Sequence, residues 1–238
     1  TNGSFNNAGS NGARLSLDNS TGNLILDNTD LFNAGGDALQ VTAVNGSGST
    51  VALLNGISLD SAGDDAIDIM ATDSTALVTG SQTSGSFATD DAIHLAADNG
   101  QIGLILSNAL SFTNPGGDGI DFSGINGSVL NVQVSGFPTA TFANAGGNGV
   151  VGNLTDSTAT LGLVNTNFNN ATLDGLGVTA TNSTFNGSVN NGFFDNAGQD
   201  ALRLTLDNST GNLGLTNVTA QNATGNGLIV TGDNASNS

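Results

Sequence analysis

The chain has no cysteine, no tryptophan, no tyrosine, no lysine and no glutamate, and only two prolines. Without cysteine there are neither disulfides nor thiolate metal sites. The only basic side chains besides one histidine are Arg14 and Arg203. Binding phosphate backbones needs cations that release counterions, so nucleic acid is excluded as a partner, and anionic lipid with it. Glu, Lys and Gln normally clothe the outer faces of helices, and their scarcity argues against helices. No apolar run is long enough to span a bilayer, so no membrane insertion is expected in this segment, and residues 1–20 lack the basic and apolar regions of a signal peptide.

What remains is unusual. All 20 acidic residues are Asp, the net charge is −18, and 35 residues are Gly. Asn, Asp, Gly, Ser and Thr favour turns, caps and strands over helix interiors. The hydrophobic fraction of 37% suffices for a core if the apolar residues share it. An all-β chain with dense turns follows, and cations are the partners its charge suits.

One signature recurs: Asp or Asn, then Gly or Ala, then an aliphatic residue. It begins at Asn11, Asp37, Asp65, Asp91, Asp118, Asn148, Asp174, Asp200 and Asn226, in steps of 26 to 30 residues. Eight residues after each of these anchors stands Asn or Asp, as at Asn19, Asn45 and Asp73. Four residues before stands another polar column, Asn7, Asn33 and Ser61 among its members, interrupted by Phe87. Three before is Ala, except at Pro115, and six before runs the series Phe5, Leu31, Leu59, Phe112, Phe142, Phe168 and Phe194.

Positions two and four after the anchor are apolar, as in Ile67 and Ile69 or Leu202 and Leu204, and this period of two marks a strand with one buried face. A second strand follows the second polar column (Leu24 and Leu26, Leu104 and Leu106), and the Phe series marks a third. Three short strands and three turns per repeat describe one coil of a parallel β-solenoid, with successive coils roughly 4.7–4.9 Å apart. Inward residues should then stack on their own kind, with Asn ladders at the turns fixing register. The fold class is therefore all-β: a single-stranded parallel β-helix of about nine coils of 26–30 residues, with residues 1–238 as one continuous segment.

Residues 13–28 (ARLSLDNSTGNLILDN) closely match residues 202–217 (LRLTLDNSTGNLGLTN), 189 positions later. Such a super-repeat points to an array grown by duplication, of which this chain is expected to be a fragment. Its partners would be neighbouring repeats of the same protein or end-to-end copies of itself.

The repeat, the Asn columns and the Phe series resemble the right-handed parallel β-helix superfamily. That group includes pectate-lyase-like enzymes and the solenoid regions of large bacterial surface proteins. The Asn-, Gly-, Thr- and Asp-rich composition is similar to the surface-protein branch. That resemblance implies an extracellular stalk or filament of adhesin type, without catalysis and requiring no cofactor, with surface glycans as a further possible partner class. Polygalacturonase-like members of the superfamily carry Asn-Thr-Asp, Asp-Asp, Gly-His-Gly and a basic motif. Here Asn28-Thr29-Asp30, Asp64-Asp65 and Asp90-Asp91 are present, but Asp30 to Asp64 is not one coil, and His94 lies between Ile93 and Leu95 rather than glycines.

The third position after the anchor carries Arg14, Gln40, Asp68, His94, Asp121, Val151, Gly177, Arg203 and Ile229, and should face outward. Asp68, His94 and Asp121 would line up on neighbouring coils, beside Asp64, Asp65, Asp90, Asp91 and Asp118. Two readings go beyond turn-capping by these Asp side chains. One is calcium held by Asp64, Asp65, Asp68, Asp90, Asp91, Asp118 and Asp121, since hard oxygen ligands suit that ion. The other is polysaccharide-binding or polysaccharide-degrading chemistry with Asp68, His94 and Asp121 as catalytic groups. A stalk implies a shallow face there; an enzyme implies an acidic cleft.

Ice binding is a third alternative, which needs a flat Thr-rich face. The fifth position after the anchor supplies only Thr179, Thr205 and Thr231 as a run. Sequons such as those at Asn19, Asn182 and Asn208 fall in turn columns. Arg14 and Arg203 hold equivalent places in the duplicated coils, and each is expected to pair with a nearby Asp.

Overall fold

A computed structural model describes residues 3–234, 236 and 237 of the chain. Among these the regular elements are all strands, paired in parallel. The chain winds as a parallel β-helix of about nine coils. One face is a sheet of nine strands: Ala13–Asp18, Leu39–Val44, Ile67–Thr72, Ile93–Asp98, Ile120–Ile125, Val150–Thr155, Leu176–Thr181, Leu202–Asp207 and Ile229–Asp233. The strands of the other two faces join into a single 15-stranded sheet through the long strands Val129–Ala143 and Thr158–Asn169.

Register follows the hydrophobic alternation. Leu39 pairs with Ile67, Ile67 with Ile93, Val150 with Leu176 and Leu176 with Leu202, and all of these are buried. A slip of one residue would turn every one of them to solvent, so the alternation itself pins the stacking. On the third face Phe112, Phe142, Phe168 and Phe194 stack with ring centroids 5.0–5.4 Å apart and interplanar angles of 15° or less. They fill the core, as their parity requires.

Corners are made by residues in the left-handed region. Among the described residues, twenty-five other than glycine have positive φ, most of them Asn, which tolerates this conformation better than other L residues. Two of the three corner columns are the polar columns visible in the sequence. The third is Asn28, Asn55, Gln82, Asn108, Asn165, Asn191 and Asn217. Its signal was available, because in most coils it stands 17 residues after the anchor.

The uneven steps between anchors come from residues inserted at corners. Gly46, Gly56 and Gly127, the glycines with φ of 78–84°, each follow a left-handed Asn and lengthen one corner. The 30-residue step from Asp118 to Asn148 holds one further insertion, where the pairing of Val129–Ala143 with Thr158–Asn169 shifts between Ser135 and Ala140. Exposed Phe137 sits there. Insertions bulge outward and leave the stacked columns aligned.

Side chains tie the coils together. Amide-to-amide bonds run from Asn144 to Asn114, from Asn170 to Asn144 and from Asn196 to Asn170 at 2.8–3.0 Å. Elsewhere the acceptor is Asp, as from Asn99 to Asp73 at 2.6 Å. A buried serine column, absent from the sequence reading, does the same for backbone donors. The N–H of Ser47 donates to the Ser74 hydroxyl, that of Ser157 to Ser183 and that of Ser183 to Ser209, at 2.9–3.0 Å. Coils also approach closely at glycine: a Cβ at Gly63 would lie 2.6 Å from the Gly35 carbonyl oxygen.

Candidate functional site

The anchor column is first of all structural. The N–H of each anchor donates to the side-chain oxygen of the anchor one coil before it: Asp37 to Asn11, Asp65 to Asp37, Asp91 to Asp65 and Asp118 to Asp91. The links continue from Asn148 to Asp118, Asp174 to Asn148, Asp200 to Asp174 and Asn226 to Asp200. Each satisfies a backbone donor and is worth about 0.5–1.5 kcal/mol net. Only one oxygen of each carboxylate is used, and the other is free to turn toward the third position after the anchor.

That neighbouring column is in register as the spacing implies: Gln40 beside Asp68, Asp68 beside His94, His94 beside Asp121. Asp68 differs from the expected outward-facing residue. It is only 5% exposed, because Gln40 and His94 cover it from the coils on either side. Gln40 Nε2 donates to Asp68 Oδ2 at 3.0 Å and to Asp37 Oδ2 at 2.9 Å. His94 Nδ1 lies 2.9 Å from Asp68 Oδ1 and 3.7 Å from Asp65 Oδ2. Gln40 was not singled out from sequence as a site residue, although it occupies the same column.

Together these side chains line a concavity of about 410 Å³, bounded also by Asp64, Asp90, Asp91, Asp121 and Met70. The face is therefore hollow where a plain rod called for a shallow one. Of the residues with motif resemblance, Asp64, Asp65, Asp90, Asp91 and His94 line it, and Asp30 belongs to the strand Thr29–Phe32 on another face.

The crowding of carboxylates sets the electrostatics. Burial pushes Asp65 up to about 7, aided by the charge on Asp91. It pushes Asp91 up to about 7 as well, with Asp118, Asp121 and Asp90 adding repulsion. Burial raises Asp121 to about 6, with His94 pulling the other way. Asp37 is raised, again chiefly by burial. His94 goes up to about 9, because its hydrogen bond to Asp68 outweighs the desolvation that opposes charge. Near neutral pH the imidazole is thus a cation held by Asp68, which is the wrong state for a general base.

All seven carboxylates expected as calcium ligands fall into three sets whose candidate ligand atoms lie within 4.8 Å of one another. The sets are Asp65, Asp68 and His94; Asp64, Asp65 and Asp90; and Asp91, Asp118 and Asp121. The first includes the imidazole, which is tied to Asp68. In the third, Asp121 Oδ1 is buried without a hydrogen-bond partner, so its oxygens are the least committed. Among the catalytic candidates, Asp68 and His94 are engaged with each other and Asp121 stands apart as the one carboxylate with an unused buried oxygen.

The two arginines part company. Arg203 NH2 lies 2.6 Å from Asp174 Oδ2, and its Nε donates to the same oxygen. Arg14 is exposed and forms no ion pair among the described residues, contrary to the expectation that both would pair. The reason is position: the Asp that holds Arg203 belongs to the preceding coil, and Arg14 stands on the first of the nine strands of its face.

No family model matches this chain, and no match emerges among curated proteins or solved structures.

Proposed function

We propose that this chain is a structural segment of an extracellular, adhesin-type surface protein, a stalk or filament piece that acts by being stiff. The observation that carries this reading is the unbroken run of anchor links from Asn11 to Asn226. Asp65 and Asp91, which line the acidic concavity, accept the next anchor's N–H in the same way as Asp174 and Asp200 outside it. Asn ladders at the corners and the Phe stack add links of the same direction, along the axis. Force applied along that axis must break strand pairing, side-chain links and core stacking coil by coil. Single-molecule pulling on the full chain from its two ends tests this. A rod gives repeated high-force steps of about one coil's contour length; a single low-force extension would remove the mechanical role.

A second reading is favoured by the hollow acidic face. Asp91, Asp118 and Asp121 offer oxygens of the kind Ca²⁺ takes, and a divalent cation would offset the burial and the mutual repulsion that raise Asp91 and Asp121. With or without the ion, the polar lining of the concavity would suit the hydroxyls of a surface glycan, and polysaccharide chemistry would draw on Asp121 as its acid. Melting curves at pH 8 with Ca²⁺ and with chelator test the cation. An increase with Ca²⁺ that Asp121→Asn abolishes supports the site, and superimposable curves remove it.

A further inference from the structure

We infer that Asn55 is a site of spontaneous covalent modification: the backbone nitrogen of Gly56 attacks its side-chain amide, turns it into a carboxylate and so breaks its link to Asp27.

An asparagine followed by glycine carries its own nucleophile, because glycine has no side chain to screen the peptide nitrogen and lets the backbone bend toward the amide. The glycine nitrogen attacks Cγ of the asparagine, and the bond from Cγ to Nδ2 breaks. Nδ2 departs as ammonia, taking the proton of the glycine N–H, and a five-membered succinimide remains. Water then opens either ring carbonyl and leaves aspartate or isoaspartate. No other reactant is consumed. A glycine N–H that donates a hydrogen bond is kept out of this reaction until that bond opens.

Three corners present the pair in the same form. Val44-Asn45-Gly46, Leu54-Asn55-Gly56 and Ile125-Asn126-Gly127 each set an apolar residue before an exposed Asn with φ of 55–56° and a glycine with φ of 78–84°. At two of them the next coil holds the glycine. The N–H of Gly46 donates to the Asp73 carbonyl at 3.0 Å, and that of Gly127 to the Asp156 carbonyl at 2.7 Å. At the remaining corner the equivalent carbonyl, that of Gln82, accepts from Ile57 at 3.0 Å instead. Neither the N–H of Asn55 nor that of Gly56 then has a hydrogen-bond partner among the described residues.

Other Asn-Gly pairs with a coil on either side are restrained. The N–H of Gly149 donates to the Asp174 carbonyl at 2.9 Å and that of Gly100 to the Ser128 hydroxyl at 3.3 Å. Asn186-Gly187 lies within the strand Thr184–Asn190, which is paired on both sides, and Gly192 is buried against Val189.

Asn55 is also a tie between coils. Its Nδ2 donates to Asp27 Oδ1 at 2.8 Å, one coil back. Conversion removes that donor and sets a second carboxylate against the first, in a chain whose net charge is already −18. In the isoaspartate form the backbone runs through Cβ and lengthens the corner by a carbon. The ladder is cut at that point.

The test keeps the full chain folded at pH 8 and follows each asparagine by peptide mass spectrometry, after digestion at a low pH that halts the reaction. Asn55 is expected to convert about 2–10-fold faster than Asn45 and Asn126, the advantage of having no hydrogen bond to open first. In urea the three should convert at similar rates, since their neighbours in sequence are alike. Asn55→Asp reproduces the product and should lower the melting temperature by about 1–3 °C. Asp27→Asn in the same chain should restore it by reversing donor and acceptor. Three results overturn the proposal: Asn55 converts no faster than Asn45 and Asn126 in the folded chain, it leads them by as much in urea, or Asn55→Asp melts as the parent does or is not rescued by Asp27→Asn.

Discussion

The carboxylate of Asp65 accepts a hydrogen bond from the backbone N–H of Asp91 at 2.9 Å, one coil further along, while its other oxygen lies 3.7 Å from His94. One side chain thus serves the stacking of the rod and the electrostatics of its hollow face. The two roles respond differently to substitution, and that makes them separable.

Asp91→Asn keeps an oxygen acceptor for the Asp118 N–H, as Asn148 does for Asp174, but removes a charge that burial disfavours. At pH 8 it should stabilise the chain by on the order of 1–3 kcal/mol, less than the full pKa displacement would give because solvent partly screens the group. Asp91→Ala leaves the same N–H without its partner and should cost about 1–3 kcal/mol. Urea denaturation of the two variants against the parent separates them by sign.

Stability should fall as pH rises. Asp65, Asp91 and Asp121 have folded-state values near 7, 7 and 6, above the ordinary 3.8. Their contribution is complete below about 4 and is lost through pH 6–7. His94, raised from 6.5 to about 9, contributes fully below 6.5 and loses its contribution as pH passes 9. Melting temperatures measured without divalent cations should therefore decline from pH 5 to pH 9.5. His94→Gln should flatten the upper part of that decline, and should move the lower part to higher pH because the imidazolium no longer holds Asp65 and Asp121 down.

Phe168 lies between Phe142 and Phe194 in the ring stack. Phe168→Ala opens a cavity in the middle of the column and should cost about 3–5 kcal/mol. Phe87→Ala, at an exposed corner, should cost little, although both residues are phenylalanines of the same repeat. Denaturation midpoints decide.

Gly63→Ala places a methyl 2.6 Å from the Gly35 carbonyl oxygen, and both partners are backbone. The coils must separate there, at a cost of about 1–3 kcal/mol. Gly9→Ala, in the equivalent place with nothing within 4 Å, should be tolerated, and comparing their melting curves checks the close approach.

Much of this fold is legible in the sequence because a solenoid repeats its environment. Ile67, Ile93 and Leu202 meet the same surroundings in different coils, so their alternation appears many times and errors average out. The line Gln40, Asp68, His94 and Asp121 follows from spacing alone. What spacing does not carry is depth. That Asp68 is buried depends on the lengths of Gln40 and His94, and that the face is hollow depends on how those side chains lean. The buried serines escaped notice because a polar residue in a polar chain gives no contrast, and the pairing of Arg203 but not Arg14 depends on which coil lies beneath each.

Direct stacking of equivalent side chains can be read with one measurement, helped by the lack of native cysteine. Thr179 and Thr205 are register partners on adjacent coils, and Thr231 is the partner of Thr205 one coil further. Adjacent strands put Cα atoms about 4.8 Å apart, within the span of a disulfide, and two coils put them beyond it. The double variant Thr179→Cys with Thr205→Cys should oxidise to an intramolecular disulfide without loss of the melting transition, and Thr179→Cys with Thr231→Cys should remain reduced. Cross-linking of the second pair in preference to the first would contradict the stacked register on which every other inference depends.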